Sequence, residues 1–406
     1  MSNNWTKSFS ATALKSRPSP VRELLKVINQ PGMISFAGGM PAPDVFPVEQ
    51  FAEGAELLQS KGSLLLQYGT TEGYNPLREF LAKWTAPRMG REVGLDEILL
   101  TTGSQQVLDL FGWAMIDPGD VVIMEAPTYM AAINAFSNHG AEFASVRMDD
   151  VGMVVGELPA LIEKLRKEGR KVKFIYTIVN FQNPGGATMS AARRKELTEV
   201  AKRYDLTIFE DDPYGYVRFD GDHLPSIFSF DGAGNTIYAG SFSKILSPGV
   251  RIGWVSGPKD IVRQMTVFKQ ATDLCSSPIT QILTHEYCRK GYLDSHLPNI
   301  IANYRVKRDA MEQSFKKHLS SLGITWVKPE GGFFYWLDTG AIDSNELARR
   351  ALEKKVAILP GEPFCVKPED GVHAARINYT FSKPDVIEEG VSRLAQAIQE
   401  MKIPAK

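Results

Sequence analysis

The stretch Ser241-Phe242-Ser243-Lys244-Ile245-Leu246-Ser247-Pro248-Gly249-Val250-Arg251-Ile252-Gly253 sets one lysine beside two serines, with an arginine seven residues further on. A neutral ε-amine condenses reversibly with a carbonyl to give a Schiff base. Serine hydroxyls and a guanidinium fork are what a phosphate monoester needs. The combination asks for an aldehyde that also carries a phosphate. A lone loop lysine in solvent is the plain alternative, and only the rest of the chain separates the two.

Four other elements hold polar residues just after apolar, strand-like runs. Thr102-Gly103-Ser104-Gln105-Gln106 opens a helix. There Gly103 permits a tight turn, and Ser104 and Gln105 bring N–H groups and side chains to a positive helix end, a ready phosphate site. Read alone, Ser104 is an ordinary helix cap. Glu125-Ala126-Pro127-Thr128-Tyr129 places a ring at a strand exit, where it can stack on another ring; alone, Tyr129 is a packing residue. Asn180-Phe181-Gln182-Asn183-Pro184-Gly185-Gly186 is a turn signature in which Asn183 can also donate to a phenolic oxygen. Phe209-Glu210-Asp211-Asp212-Pro213-Tyr214 ends an apolar run in three acids, which form a solvated turn or are costly to bury unpaired. A carboxylate facing a pyridine nitrogen would keep it protonated and make the ring an electron sink. Tyr214 can then reach a neighbouring ring oxygen. Phosphate donors, a stacking ring, a pyridine counter-ion, a phenolate partner and the lysine together match pyridoxal 5′-phosphate.

These residues need a frame that brings strand ends together. Short apolar runs at 97–102, 121–126, 143–148, 172–179, 206–210, 236–239 and 252–256 read as seven strands, with helical patterns such as Val107, Leu108, Phe111 and Met115 between them. Such alternation implies an α/β fold with a mostly parallel sheet flanked by helices on both faces. Ligands collect at the carboxyl ends of such strands. Long helical patterns follow to about residue 321. Beyond them, strand patterns at 332–337 and 376–381 and helical ones at 346–352 and 387–398 read as a smaller α+β domain. Near the N-terminus, Ser19 and Pro20 read as a helix cap and first turn before Val21, Leu24, Leu25 and Ile28. The predicted organisation is an N-terminal segment over 1–45 joining the small domain, a large cofactor-binding domain over 46–300, and a small C-terminal domain over 301–406.

Composition removes several classes of function. With 406 residues, 43% hydrophobic and 23% charged, the chain is an ordinary globular one and too long for one simple core. A formal net charge of −1 gives no electrostatic reason to expect nucleic acid or a membrane surface as partner. Met1-Ser2-Asn3-Asn4-Trp5-Thr6-Lys7 lacks the apolar core of a signal peptide, and no apolar run reaches membrane-spanning length, so a cytoplasmic protein is expected. Cys275, Cys288 and Cys365 form an odd set without metal-ligand spacing, and the six histidines are scattered. Reduced thiols and no metal site are expected.

The elements "ISFAGGMPAPDVFP", "LQYGTTEGYNPLR", "TTGSQQVLDL" and "GSFSKILSPGVRIGW" resemble the fold type I pyridoxal-phosphate enzymes, within them the class I/II aminotransferases, and most closely the 2-aminoadipate and kynurenine aminotransferase branch. The resemblance implies an aspartate aminotransferase-like fold in which Lys244 is the Schiff-base lysine. Asp211, three residues before Tyr214, matches the acid paired with the pyridine nitrogen, with Asp212 in support. Tyr214 and Asn183 match the partners of the phenolic oxygen, and Tyr129 the stacked ring. Ser104, Gln105, Ser241, Ser243 and Arg251 match the phosphate cradle. Tyr68 matches a tyrosine that reaches the neighbouring subunit's phosphate, which implies a homodimer. Arg376, in "ARINYTF", matches the arginine that grips the substrate α-carboxylate, with Gly39 and Asn183 beside the substrate. The family's Asn-Pro-Thr-Gly stands here as Asn183-Pro184-Gly185-Gly186, which changes the local turn.

The implied activity is ping-pong transfer of an amino group from an L-amino acid to a 2-oxo acid such as 2-oxoglutarate, with Lys244 moving the proton. Arg22, off the apolar stripe of the N-terminal helix, either pairs with a distal carboxylate of glutamate or 2-aminoadipate or is an exposed helix arginine. The branch also accepts aromatic and aliphatic amino acids. A lyase or decarboxylase on the same fold is the alternative, because the sequence does not say which Cα bond lies perpendicular to the ring. A ligand-sensing regulator is the third reading. Against it stand the lack of a basic surplus and a first matching helix expected about 20 residues from the start, too early for a helix-turn-helix to precede it.

Overall fold

The computed structural model describes residues 5–16, 18, 31–232 and 234–402. The predicted helix that carries Arg22 lies outside them.

One large sheet organises the molecule. Its strands are β2 (Ile98–Thr101), β3 (Val121–Ala126), β4 (Glu142–Asp149), β5 (Gly152–Met153), β6 (Val172–Thr177), β7 (Thr207–Asp211), β8 (Thr236–Ser241) and β9 (Gly253–Ser256), after a two-residue β1 (Ile34–Ser35) outside it. The spatial order is β2-β9-β8-β7-β6-β3-β4-β5. All seven predicted strands lie in this sheet. The eighth, β5, is a two-residue antiparallel edge on β4, too short to leave a pattern in the sequence.

The pairs β4–β3, β3–β6, β6–β7 and β7–β8 are parallel, while β9 runs antiparallel to both β8 and β2. The central strands read as near-continuous apolar runs because both faces are covered. Alternation still sorts the side chains. Val122, Met124, Phe174 and Tyr176 join a core holding Phe111, Phe136 and Phe209. Val121, Ile123 and Ile175 face a second core with Leu158, Ile162 and Leu197. The carboxyl ends of β3, β6, β7 and β8 therefore converge at one edge, bearing Glu125, Thr177, Asp211 and Ser241.

After β9 come helices Lys259–Thr272, Pro278–Arg289 and Tyr292–His318. A four-stranded antiparallel sheet follows: β10 (Thr325–Trp326), β11 (Phe334–Asp338), β14 (Ala374–Asn378) and β13 (Leu359–Pro360). Helices Ser344–Glu353 and Pro384–Lys402 accompany it. β1 pairs in parallel with β12 (Val356–Ala357), so residues from the start of the described chain bind to its last quarter. β11 starts two residues later than the sequence pattern suggests, because Gly331 and Gly332 turn back instead: the Gly332 N–H donates to Val217 O. That turn, with Gly332 at φ +71, delivers Phe333 and Phe334 to the edge of the large sheet.

Candidate active site

Lys244 lies just beyond β8. Its Nζ donates to the carbonyl of Gly39 at 2.8 Å and lies 5.1 Å from the Phe333 ring centroid. The residue keeps some surface in the cleft, but burial around the amine pulls its pKa down to about 8, and the charges of Arg376 and Arg251 add to the shift.

Arg376 sits mid-strand in β14, paired with Trp336 of β11 and Leu359 of β13. It crosses to the large sheet's edge, donating from Nη1 to Asn183 Oδ1 at 2.9 Å and from Nη2 to Ala37 O at 2.8 Å. Phe334 and Phe364 flank the guanidinium, with centroids 4.1 and 4.8 Å from Cζ. Burial pulls its pKa down to about 10. Its Nε is buried without a partner.

Asp211 ends β7. Its Oδ2 accepts from the Tyr176 hydroxyl at 2.7 Å, while Oδ1 is buried without a partner. Burial pushes the carboxyl up to about 7 against the Tyr176 hydrogen bond. Asp212 differs: Arg88, Asn180 and Tyr238 donate to it at 2.8, 2.8 and 3.0 Å. Tyr214 is buried, its phenol pushed up by burial and held back by the charge of Arg376 and the side-chain amide of Asn183. Tyr129, at the N-cap of helix Met130–Asn138, is near enough for its phenol to act on both Tyr214 and Arg376.

The helix N-terminus lies beside this group. Helix Ser104–Met115 starts after Gly103 at φ +78 with no side-chain cap; the Gln106 N–H turns to Gly103 O at 3.1 Å, which leaves the N–H groups of Ser104 and Gln105 without intrahelical partners. A Cβ on Gly103 would collide with the Arg251 guanidinium, and one on Gly253 would lie 2.5 Å from Ser104 N. Both glycines are needed for that approach. Arg251 is exposed, donating to Thr102 O at 3.2 Å and Pro248 O at 3.4 Å. Ser241 and Ser243 join their hydroxyls at 3.0 Å.

The structure thus gathers Lys244, Asp211, Tyr214, Asn183, Tyr129, Arg376, Gly39, Ser104, Ser241, Ser243 and Arg251. Gln105 is exposed in the same helical turn. Tyr68 is 76% exposed, and none of the hydrogen bonds described joins its hydroxyl to these residues. Arg22 lies outside the described residues.

Sequence reasoning missed Tyr176, the phenylalanines 333, 334 and 364, and the buried Glu125. Thr177 Oγ1, Gln182 Nε2 and the Ile178 N–H donate to Glu125 at 2.5, 2.9 and 3.3 Å, tying the exits of β3 and β6 together. Burial pushes its carboxyl up to about 7. A glutamate inside an otherwise buried strand was the available signal.

The model of the family "Aminotransferase class I and II" matches residues 34–394, and the chain belongs to that family. It is 44% identical to an aromatic-amino-acid aminotransferase of Thermococcus litoralis over 98% of this chain and 95% of that one. The crystal structure of Pyrococcus horikoshii kynurenine aminotransferase superposes with a TM-score of 0.94 at 43% identity, covering 99% of each chain. LysN, the α-aminoadipate aminotransferase of Thermus thermophilus, gives 0.89 at 37% identity over 98% of this chain and 99% of that one.

The protein is a pyridoxal 5′-phosphate-dependent aminotransferase acting on amino acids. Its residues fit that cofactor. The open Oδ1 of Asp211 is a buried acceptor awaiting an N–H donor, and the uncapped helix start beside Arg251 awaits an anion.

Proposed function

We propose that this protein is a broad-specificity aminotransferase that takes the amino group of aromatic, aliphatic or 2-aminoadipate-like L-amino acids and passes it to a 2-oxo acid such as 2-oxoglutarate. One observation carries the reading. Lys244 Nζ and Arg376 Nη2 each donate at 2.8 Å to carbonyls of one short segment, those of Gly39 and Ala37. A reactive amine and a carboxylate fork spaced two residues apart on one segment suit the Cα and carboxylate of one α-amino acid.

When bound, pyridoxal 5′-phosphate supplies the carbonyl and the electron sink. The chain's residues do the rest. Lys244, neutral in a large fraction of molecules near pH 8, moves the proton at substrate Cα. Asp211 would hold the ring nitrogen through Oδ1, since Tyr176 already fixes its other oxygen. Tyr214 and Asn183 would hold the phenolic oxygen, and Tyr129 would cover the ring. Ser104, Gln105, Ser241, Ser243 and Arg251 take the phosphate. Arg376 grips the α-carboxylate, with Gly39 and Asn183 beside it. The phenylalanines around Arg376 and Lys244 exclude water and strengthen both contacts.

We further propose a cytoplasmic homodimer in which the exposed Tyr68 reaches the partner's phosphate, and a role for Arg22 toward distal carboxylates. Residues 46–300 form the cofactor-binding unit, and 301–406 with the segment up to 45 form the smaller one; the β1–β12 pairing supports that grouping. No described helix is long and apolar enough to cross a membrane.

The test is a half-reaction screen. The yellow holoenzyme is mixed with single amino acids, and the cofactor's visible absorbance is followed. Bleaching by aromatic, aliphatic and 2-aminoadipate substrates supports the reading; a flat response to all of them refutes it. Equal losses on glutamate and leucine in Arg22→Ala would remove Arg22 from specificity.

A further inference from the structure

The start of helix Ser104–Met115 is anchored from behind by a charged cluster built on one buried lysine. Lys269 lies on the inner stripe of helix Lys259–Thr272, with Val262, Met265 and Thr266, and is fully buried. Its Nζ donates to Asp273 Oδ1 at 2.7 Å, Gln106 Oε1 at 3.0 Å and Ser276 Oγ at 3.0 Å. Asp273 Oδ2 accepts from Thr102 Oγ1 and Gln106 Nε2, both at 2.9 Å. Gln106 Oε1 also accepts the Thr102 N–H at 2.8 Å. Thr102 is therefore fixed through its N–H and its hydroxyl together. Its carbonyl, the remaining polar group, accepts from Arg251 Nη2 at 3.2 Å.

An exposed arginine loses rotamer freedom when it closes on an anion, and that loss weakens binding. Here part of the loss is met during folding, since Thr102 O restrains the fork and Gly103 leaves it room.

We propose that Lys269 and Asp273 are positioning residues for the cofactor phosphate. They do not touch it. They fix Thr102, whose carbonyl aims Arg251 and whose chain continuation sets the N–H of Ser104. The inference rests on Ser104 and Arg251 being the phosphate cradle.

Apoprotein is titrated with pyridoxal 5′-phosphate and with pyridoxal, which lacks the phosphate, and the ratio of the two dissociation constants is read. Arg251→Gln tests the cradle itself: a ratio unchanged in that variant refutes the cradle and this inference with it. Thr102→Val then removes the hydroxyl link while the Lys269–Asp273 pair stays, and Lys269→Met removes the charge that holds the cluster. Each is expected to weaken pyridoxal 5′-phosphate about tenfold, the factor for one lost charge-assisted hydrogen bond, while pyridoxal stays within about twofold. If Arg251→Gln collapses the ratio and Thr102→Val leaves it at the wild-type value, the cradle stands and the positioning role is wrong. Parallel weakening of both ligands also overturns it, as general loosening. Should Lys269→Met not fold, the Thr102→Val ratio alone decides.

Discussion

Lys244 and Lys269 are two lysines of one chain withdrawn from bulk water, and their surroundings differ in kind. Lys269 has a carboxylate, an amide oxygen and a hydroxyl around its amine. Lys244 has one neutral carbonyl, an aromatic face, and two arginines close enough to act on its charge. Burial lowers both pKa values; for Lys269 the Asp273 contact opposes the shift, and for Lys244 the neighbouring charges deepen it. The adjacent acids repeat the contrast. Asp212 is met by Arg88, Asn180 and Tyr238, whereas Asp211 keeps one oxygen open. In these two pairs the group whose partners are complete is tied into the fold, and the one left incomplete, at the end of β7 or just beyond β8, keeps a polar atom able to take a ligand.

The largest effect expected is at Lys244. Lys244→Ala should lower turnover on the order of 10⁴-fold or more, through loss of both the nucleophile and the proton carrier, while some cofactor stays bound. Steady-state kinetics with absorbance of the purified variant measure both. Lys269→Met should retain the wild-type kcat once cofactor is saturating, and an equal collapse in the two variants would break the contrast.

Exchanging the acids comes next. Asp211→Asn should lower kcat by roughly 10²–10³-fold with little change in melting temperature, because the electrostatic partner of the ring is lost. Asp212→Asn should chiefly destabilise the fold, by up to about 3–5 kcal/mol, since Arg88 stays buried without its carboxylate. Denaturant melts and kinetics on both variants decide, and a reversal of the two patterns would contradict the assignment.

Arg376→Lys should reduce kcat/KM for α-amino acids about 100-fold through loss of the bidentate fork. Reaction with primary amines that lack a carboxylate should be nearly unchanged.

The smallest effect concerns pH. A lysine pKa lowered to about 8 means a protonated, unreactive amine below that value and a free one above. Capture of pyridoxal 5′-phosphate by apoprotein should therefore rise about tenfold per unit as pH approaches 8 and level off beyond it. A rate still climbing at pH 10 would show an ordinary lysine.

Much of this was legible in the sequence, because strand exits are local events. The Lys244 loop, the Asp211–Tyr214 turn and the Ser104 helix start each follow an apolar run. What stayed hidden depends on register and long-range contact. That Arg376 meets Asn183 follows from its pairing with Trp336 and Leu359, which no local pattern encodes. The choice of Asp211 over Asp212 rested on spacing to Tyr214 by resemblance; its physical reason, the open Oδ1, needs Tyr176 on the adjacent strand. Lys269 does carry a local signal: it is a lysine on the apolar stripe of Val262, Met265 and Thr266, with Asp273 four residues on.

The most direct test of the central claim is the product balance of a single half-turnover. Holoenzyme is mixed with one equivalent of an amino acid that bleaches it, without acceptor, and the products are quantified per site. The claim that Lys244 and Arg376 hold an α-amino acid for amino transfer predicts one 2-oxo acid released and one aminated cofactor retained for each site consumed. Release of carbon dioxide, or loss of the amino acid without a matching oxo acid, would contradict it.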